Sequence, residues 1–280
     1  MIRHHFTVDV EEYFHPTALA RHYPMAAWEG LQRRSPRVMD KLLDFLAQHD
    51  VKMTCFVVGW LAEREPAMVR AIAGAGHEIA SHGWEHELVG RLGPDGFRAS
   101  VRRSKRTLED ISGRRVSGYR APSFSIVPGL EWAFDVLLEE GFAYDASLFP
   151  IQQHPTYGYP RAERYPYSIR RPAGELVEIP STTLRLLGAT WPASGGAYFR
   201  LLPYALVHAA FRQATANGSP GTFYIHPWEL DDWRPAVAAP RLQMLRTFGG
   251  RKRIWNRLAR MLRDFDFGAV EETVAAMAAD

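Results

Sequence analysis

The sequence predicts an α/β protein in which one domain, residues 1–280, is built on a mainly parallel sheet of about seven strands. Short apolar stretches alternate with amphipathic stretches of helical length, which is the pattern of repeated βαβ units. Acidic or histidine side chains close several of the apolar stretches, at strand ends where α/β proteins place their chemistry. Seven strands are enough for a closed or nearly closed barrel, and 280 residues with 46% apolar content can bury one large core.

The first half of the chain carries this alternation most clearly. Ser35 and Pro36 mark the beginning of a helix, because a hydroxyl cap followed by proline in the first turn is a favoured start. Glycines such as Gly113 end later helices. The predicted strands cover 5–10, 53–58, the stretch between Gly76 and Gly83, 118–122 and 142–148. One predicted helix begins at residue 35, and three more cover residues 66–75, 94–111 and 130–140.

The second half departs from this pattern. Residues 150–175 are rich in proline and tyrosine and are predicted to form a long loop. A loop of that length in a compact domain usually has a function, although a structural flap is an equal alternative. Two more strands are expected at 176–185 and 221–225, with a helix over 203–216 between them. Residues 235–280 are expected to form a C-terminal helical extension.

Residues 251–265 predict a basic amphipathic helix within that extension. Ile254, Leu258 and Met261 belong to its apolar stripe, and arginines with one lysine cover the other face. Such a helix can contact a membrane surface or an anionic polymer, and it can equally be an outer helix whose charged face is solvated. The sequence favours the outer helix and leaves peripheral membrane contact open.

Charge and cysteine content exclude several classes of protein. With 34 basic and 31 acidic residues the net charge is +3, too small to imply a nucleic-acid partner. The single cysteine, Cys55, excludes an intrachain disulfide framework and a cysteine-rich zinc site. No apolar stretch approaches the roughly 20 residues of a membrane span, and the N-terminus shows no secretory signal. We therefore expect a soluble, cytoplasmic protein without a transmembrane segment.

Polar side chains close five of the predicted strands, where a buried core would exclude them. A carboxylate such as Asp9 at the end of an apolar strand is costly unless it is paired or acts on a ligand. The five strand ends carry Asp9 with Glu11 and Glu12, His82 with His86, Arg120, Asp145, and His226. Because the carboxyl ends of parallel strands lie together, these side chains are candidates for one site.

His82 and His86 are the candidates for a metal centre. Two imidazoles four positions apart lie on one face if the backbone there is helical, and they can then hold one metal ion. The spacing alone is a loose pattern, and histidines of the core or surface show it equally often. The polar groups at the other strand ends favour the metal.

The order of these motifs resembles that of the NodB-type polysaccharide deacetylases, carbohydrate esterase family 4. The acidic first strand, the histidine pair, Tyr119-Arg120-Ala121-Pro122, Asp145 and the late His226 follow the family's order from about residue 6 to residue 229. The opening Val8-Asp9-Val10-Glu11-Glu12-Tyr13-Phe14 is similar to that of a branch associated with exopolysaccharide and exosortase loci. The resemblance implies a distorted (β/α)7-type barrel, the NodB homology fold, with one divalent metal ion, usually Zn²⁺. It also implies hydrolysis of N-acetyl groups on N-acetylhexosamine units of a polysaccharide or a lipid-linked oligosaccharide.

Roles follow from the resemblance position by position. His82 and His86 correspond to metal ligands. Asp9 corresponds to the catalytic base, and Arg120 to the arginine that holds the base.

The remaining motifs imply a proton donor and a substrate wall. His226 corresponds to the general acid, and Asp145 to the acid that orients it. Ser123 follows the proline of the third motif, where the family uses a backbone N–H to bind the oxyanion. Further candidates for substrate contact are Phe124, His154, Tyr157 and Trp228, with Glu229 as another residue of the cleft wall.

The sequence departs from the family pattern at three places. In the histidine motif, Gly83 stands where Ser or Thr is usual, which should not affect metal coordination. Val10 occupies the position of a second aspartate that usually binds the metal. Glu11 lies on the Asp9 side of the strand by alternation and is the preferred third ligand, whereas Glu12 takes that role if the strand has already turned. Ser123 replaces a usual aromatic residue, which affects the expected substrate contacts.

Two other functions remain as alternatives to the N-deacetylase. One is a hydrolase of a small cyclic or formyl amide, like allantoinase, which would have a narrow closed pocket instead of an open groove lined with aromatic residues. The other is a metal-free carbohydrate-binding relative that has lost catalysis, suggested by Val10. A retaining glycosidase is disfavoured because no second carboxylate is plainly paired with Asp9.

Overall fold

The chain forms a mixed α/β structure whose main sheet curls into a half-barrel, as seen in a computed structural model that describes residues 2–152, 156–237 and 240–279. The strands of these residues are β1 (His4–Val10), β2 (Thr54–Val57), β3 (Glu78–Ser81), β4 (Gly118–Tyr119), β5 (Tyr144–Asp145), β6 (Tyr167–Arg171), β7 (Gly174–Glu178), β8 (Thr183–Leu186), β9 (Ala189–Pro192), β10 (Thr222–Ile225) and β11 (Phe267–Gly268). The α-helices are α1 (Ser35–Gln48), α2 (Gly59–Arg64), α3 (Pro66–Gly74), α4 (Val89–Ser112), α5 (Trp132–Glu139), α6 (Gly196–Leu201), α7 (Tyr204–Ala216), α8 (Pro227–Leu230), α9 (Arg241–Phe248), α10 (Ile254–Asp264) and α11 (Val270–Ala279).

The main sheet brings the ends of its central strands into one row. Its order is β10-β1-β2-β3-β4-β5-β7-β6, and β11 pairs with the beginning of β1. All neighbours from β10 to β7 are parallel, and only β6 runs antiparallel to β7. The register joins Val10, Val57, Ser81, Tyr119 and Asp145 in turn across five strands. The residues that follow this row therefore lie at one edge of the sheet.

The gap between β7 and β10 is bridged without a continuous strand pairing in the described residues. The Thr182 N–H donates to the Thr222 carbonyl at 3.2 Å, and the Thr222 N–H donates to Thr182 Oγ1 at 2.5 Å. Further along, Gly195 forms a single parallel bridge with Tyr224. The predicted α/β fold with a distorted barrel of parallel strands is confirmed.

Apolar packing explains why the first elements form where they do. Every residue of β1 is buried, which matches a strand covered on both faces. Helix α1 begins at Ser35, as predicted, and its residues Val38, Leu42 and Leu46 are spaced at helical intervals and buried in the core. Helix α4 is broken at Gly93, where φ is +64°, and its long segment starts at Pro94.

The second half of the chain contains strands that the sequence did not predict. Residues 167–171, expected in the long loop, form β6 and make an antiparallel hairpin with β7. The single strand expected at 176–185 is two strands, because β7 ends at Glu178 and β8 begins at Thr183 in a separate hairpin with β9. Hairpin β8–β9 lies outside the main sheet.

The basic helix near the C-terminus packs against the body of the protein. Helix α10 buries Ile254, Leu258 and Met261 completely or nearly so in the main core. The guanidinium of Arg257 donates to the carbonyls of Arg200 and Leu202. The apolar stripe is thus used in packing, as expected of an outer helix. Among the described residues, no helix combines the length and apolar content that a bilayer crossing requires.

Candidate active site

A buried ion pair lies at the centre of the row of strand ends. Asp9 lies near the end of β1 and Arg120 follows β4, and Arg120 Nη1 donates to Asp9 Oδ1 at 2.7 Å, with the Arg120 side chain completely and the Asp9 side chain almost completely buried. The same Nη1 donates to Thr7 Oγ1 at 2.7 Å, and Nε donates to the Ala146 carbonyl at 3.1 Å. Arg120 therefore fixes one oxygen of Asp9 and leaves Oδ2 free to face the pocket.

Three buried side chains offer a possible metal centre beside this pair. Glu11, His82 and His86 each present a ligand atom, and these atoms lie within 4.8 Å of one another. His82 Nδ1 lies 2.8 Å from the Arg120 carbonyl, which leaves its Nε2 for a metal. Two histidine nitrogens and one carboxylate, with the fourth coordination position open for water or substrate, form one of the usual ligand sets of a catalytic zinc ion.

Unpaired atoms support the fit of a cation to these residues. Glu11 Oε2 and His86 Nδ1 are buried and have no hydrogen-bond partner among the described residues. His86 Nε2 approaches Glu11 Oε2 to 2.6 Å, so the two candidate ligand atoms face each other. Burial would raise the pKa of Glu11, but the imidazoles of His86, His226 and His82 lower it well below its usual range. Glu11 is thus ionised, as a metal ligand must be.

The alternative ligand Glu12 points to another element. Its Oε1 accepts the backbone N–H groups of Arg34 (2.7 Å) and Ser35 (2.8 Å) where α1 begins. Burial raises the pKa of Glu12 to about 7 despite these bonds. Glu12 is therefore directed to the start of α1 and Glu11 to the histidines.

The route by which His82 and His86 meet differs from the predicted one. Residues 82–88 are not helical, and His86 adopts a left-handed conformation with φ of +56°. The ring centroids nevertheless lie 5.2 Å apart. The helical face assumed from the four-residue spacing is wrong, and a turn after β3 brings the two rings together.

His226 reaches the same cleft from β10. Its Nε2 lies 3.8 Å from Asp9 Oδ2 and 3.8 Å from Glu11 Oε1, while Nδ1 lies 2.7 Å from Glu229 Oε2. Burial lowers the pKa of His226, but Glu229, with Glu11 and Asp9, raises it to about 9. A cation at Glu11 would oppose this rise by charge repulsion. The imidazole is held with one nitrogen on a carboxylate and the other towards the cleft.

The prediction that Asp145 orients His226 is corrected by this contact. Asp145 accepts hydrogen bonds from the hydroxyl (2.5 Å) and the N–H (3.2 Å) of Ser147. Ser147 Oγ in turn accepts the Ala121 N–H at 2.7 Å. Asp145 thus shapes the backbone around Arg120, and Glu229 occupies the position beside His226. The sequence placed Glu229 only in the cleft wall, although its position three residues after His226 at a helix start was a usable signal.

A wide pocket of about 820 Å³ opens in front of these groups. Of the predicted substrate contacts, Ser123, Phe124, Tyr157 and Trp228 line it, and His154 lies outside the described residues. Tyr198 and Tyr224, which the sequence did not single out, extend the aromatic wall. The Tyr157 and Tyr198 hydroxyls are 2.7 Å apart. The pocket is an open, aromatic-lined groove.

Two of the predicted contact residues have a further structural feature. Ser123 and Phe124 both have positive φ values, 54° and 53°, in the short turn after β4. Such conformations are strained in non-glycine residues and concentrate at functional sites. Trp228 donates its Nε1–H to Glu11 Oε1 at 2.9 Å and stacks on His226 with ring centroids 5.0 Å apart. Trp228 therefore supports the candidate metal ligand as well as lining the pocket.

Family models match the two halves of the chain separately. A model described as polysaccharide deacetylase matches residues 29–128, and one described as a domain of unknown function, DUF3473, matches residues 146–275. A peptidoglycan-N-acetylglucosamine deacetylase of Bacillus cereus is 34% identical over 94 residues, which are 33% of this chain and 34% of that protein. The matched stretch spans about a third of the length of the first curated relatives, 34%, 28% and 39%.

Solved structures share the fold over nearly the whole chain. A provisionally named polysaccharide deacetylase from Mycobacterium smegmatis superposes with a TM-score of 0.62 at 21% identity, covering 98% of this chain and 90% of that one. An allantoinase superposes with a TM-score of 0.61 at 17% identity, covering 99% and 90%. At these identities the likeness concerns the fold, which both kinds of protein share.

Proposed function

We propose that this chain is a metal-dependent hydrolase that removes N-acetyl groups from N-acetylhexosamine units of a glycan. The family model and the named relatives support its placement among the polysaccharide deacetylases. The observation that carries the proposal is the convergence of Asp9, His226 and the group Glu11, His82 and His86 on one pocket. A carboxylate base, a protonated imidazole and a metal ligand set are the parts that amide hydrolysis needs.

Each residue has a defined task in this proposal. A divalent ion, in our proposal Zn²⁺, held by Glu11, His82 and His86 would polarise the acetamide carbonyl and make water more acidic. Asp9 accepts the proton of the attacking water through Oδ2, while the guanidinium of Arg120 holds the Asp9 carboxylate in place and aims it. The N–H of Ser123 donates to the oxyanion.

The leaving group explains the need for His226. An amine cannot leave as an anion, so the imidazolium of His226 donates its Nε2 proton to the nitrogen as the C–N bond breaks. Acetate and a free amino sugar are the products. Protonation of His226 at neutral pH is favoured by the carboxylate of Glu229 on its other nitrogen.

The form of the pocket supports a glycan over a small amide. An open groove of about 820 Å³ with tyrosine and phenylalanine in its wall suits the faces of sugar rings, whereas a small cyclic amide would need a closed cavity. The opening motif from Val8 to Phe14 supports a role in exopolysaccharide biosynthesis, on a polysaccharide or its lipid-linked precursor. Val10, which raised the possibility of an inactive relative, is buried in the core, and Glu11 supplies the carboxylate.

Acetate release from defined glycans tests the proposal. The zinc-loaded protein is incubated with N-acetylglucosamine oligomers and acetylated exopolysaccharide fragments, and mass spectrometry follows the loss of acetyl groups. We expect turnover by the wild type and by His49→Ala, which removes a histidine away from the pocket. We expect His82→Ala to lose both bound zinc and turnover. Hydrolysis of allantoin without glycan turnover, or an active metal-free His82→Ala, would contradict the proposal.

A further inference from the structure

We propose that Glu229 and Arg200 are positioning residues that hold His226 as the proton donor, and that residues 146–275 build this unit. The inference rests on the proposed deacetylase function. It gives a task to the half of the chain that matches only a domain of unknown function. The residues that would bind metal and accept the water's proton all precede residue 129, and His226, Glu229 and Arg200 all follow residue 145.

The first contact of the unit holds the imidazole ring. Glu229 is completely buried, and its Oε2 lies 2.7 Å from His226 Nδ1 and accepts the His226 backbone N–H at 3.1 Å. The carboxylate therefore fixes both the ring and the chain that carries it. A proton on Nδ1 bonded to Glu229 leaves Nε2, the nitrogen nearest Asp9 and Glu11, to exchange a proton with a substrate.

The second contact compensates the buried charge of Glu229. Arg200 is 4% exposed, and its Nε lies 2.5 Å from Glu229 Oε1. A buried carboxylate without such a partner would be costly and would tend to take up a proton. The two oxygens of Glu229 are thus divided, one for His226 and one for Arg200.

The third set of contacts ties the unit to the C-terminal region. Arg200 Nη2 donates to the Arg246 carbonyl at 2.7 Å, and Arg200 Nη1 donates to the Gly249 carbonyl. Both carbonyls lie at the end of α9, where the last carbonyls of a helix are free to accept. Arg200 satisfies three acceptors from two separate segments, which a lysine cannot do in the same plane.

Glycine at position 195 allows α6 to bring Arg200 this close. A Cβ atom there would lie 1.9 Å from the Tyr224 carbonyl oxygen, so the segment before α6 packs directly on β10. The chain from Gly195 to Arg200 and the chain from Tyr224 to Glu229 run from this point of contact to the ion pair. Close backbone packing and a buried ion pair therefore hold His226 from two sides.

Comparing substrates with different leaving groups distinguishes a residue that positions the proton donor from one that only supports the structure. Water adds to the acetyl carbon, the carbon–nitrogen bond breaks, and the nitrogen takes the proton of His226 Nε2. An aryl acetate loses a stable phenolate instead and needs no proton donor. A defect in His226 should therefore show on the amide and spare the aryl ester.

Two conservative variants test the proposal in the zinc-loaded chain of residues 1–280. Glu229→Gln keeps the shape of the side chain and removes its negative charge. Arg200→Lys keeps the positive charge and removes the planar guanidinium with its several N–H donors. We expect each to lower kcat for an N-acetylglucosamine oligomer by ~10²-fold, within the range of general acid catalysis. KM, zinc content and the rate on p-nitrophenyl acetate should stay within about threefold. Asp135→Asn, which breaks an arginine–carboxylate pair with Arg171 away from the pocket, should leave both rates unchanged.

A double variant shows whether Glu229 acts through His226. His226→Ala should lose at least as much amide turnover as Glu229→Gln, and the combination should be no slower than His226→Ala alone. Equal losses on amide and aryl ester, additive effects in the double variant, or a Glu229→Gln enzyme with wild-type kcat would overturn the inference. A wild type that is inactive on every N-acetyl glycan would instead refute the proposed function, so the two failures are distinguishable.

Discussion

Asp9 combines complete burial with one strong ion pair, and this determines what its substitution should do. Asp9→Asn keeps the size of the side chain and an acceptor for Arg120, but an amide cannot take a proton from water. We expect kcat for glycan deacetylation to fall by ~10²–10⁴-fold while bound zinc stays at the wild-type level. Steady-state kinetics and metal analysis of the same preparation measure both quantities.

The bound zinc distinguishes a base from a ligand at this position. Loss of metal in Asp9→Asn would make Asp9 a ligand and would leave the proposal without its base. Asp44→Asn, an exposed substitution on α1, serves as the control and should change neither quantity.

Single residues were predictable where their type and their strand position agreed. Asp9, His82, Arg120 and His226 each close an apolar strand, and a parallel sheet brings such ends together. The partner of His226 was not predictable in this way. Asp145 also closes a strand, but its carboxylate is satisfied by Ser147, whereas Glu229 reaches His226 only because α8 begins immediately after β10. The order of the strands does not show whether Asp145 or Glu229 contacts His226, because this depends on the local course of the backbone after each strand.

At the scale of elements, β1 and α1 share the acidic motif between them. Glu11 turns into the barrel beside the histidines, and Glu12 turns out to the first N–H groups of α1. A carboxylate at a helix N-terminus satisfies donors that have no partner within the helix. One dipeptide therefore serves a candidate metal site and a helix start.

The two glutamates should respond differently to truncation. Glu12→Ala leaves two buried N–H groups unpaired, and we expect a loss of about 1–3 kcal/mol in the free energy of unfolding with zinc content unchanged. Glu11→Ala should lose zinc. Urea unfolding and metal analysis of both variants measure this, and retention of zinc by Glu11→Ala together with its loss in Glu12→Ala would reverse the assignment.

Elements with clear periodicity were predictable, and short irregular ones were not. The apolar stripe of α1 and the buried β1 follow directly from side-chain spacing. The side chains of Leu186, Leu187 and Trp191 in hairpin β8–β9 are exposed, whereas the solvent-facing side of a hairpin is usually polar. The turn carrying His86 depends on a left-handed residue that no glycine marks. Tertiary contacts, not local preference, hold these segments.

The whole molecule divides the proposed chemistry between its halves. Residues up to Arg120 supply the base, its arginine and the candidate metal ligands, and residues from Gly195 supply the proton donor with its supports. The sheet joins the two halves through β1 and β10, whose parallel register runs from His5 with Thr222 to Val8 with Ile225. Stability of this junction is therefore a condition for the site.

Another buried carboxyl group, that of Glu78, lies at the end of the sheet opposite the pocket. Glu78 begins β3 and accepts hydrogen bonds from Thr54 Oγ1 (2.5 Å), the Tyr144 hydroxyl (2.7 Å) and the Glu271 N–H (3.1 Å). It thus links β2, β3, β5 and α11. Burial raises the pKa of Glu78 to about 7, against an ordinary value of 4.5.

This raised pKa makes the stability of the molecule depend on pH in a defined direction. Between pH 4.5 and about 7 the folded chain keeps a proton on Glu78 that the unfolded chain has released, so the contribution of Glu78 to the free energy of unfolding falls as the pH rises. Glu78→Gln has no such proton. We expect the stability difference between wild type and Glu78→Gln to shrink by roughly 2–3 kcal/mol from about pH 5 to about pH 8.5, as measured by urea unfolding. Glu175→Gln, an exposed change on β7, should show a difference independent of pH. A constant difference for Glu78→Gln as well would mean that Glu78 is ionised in the folded barrel, with its charge balanced by its three hydrogen-bond donors.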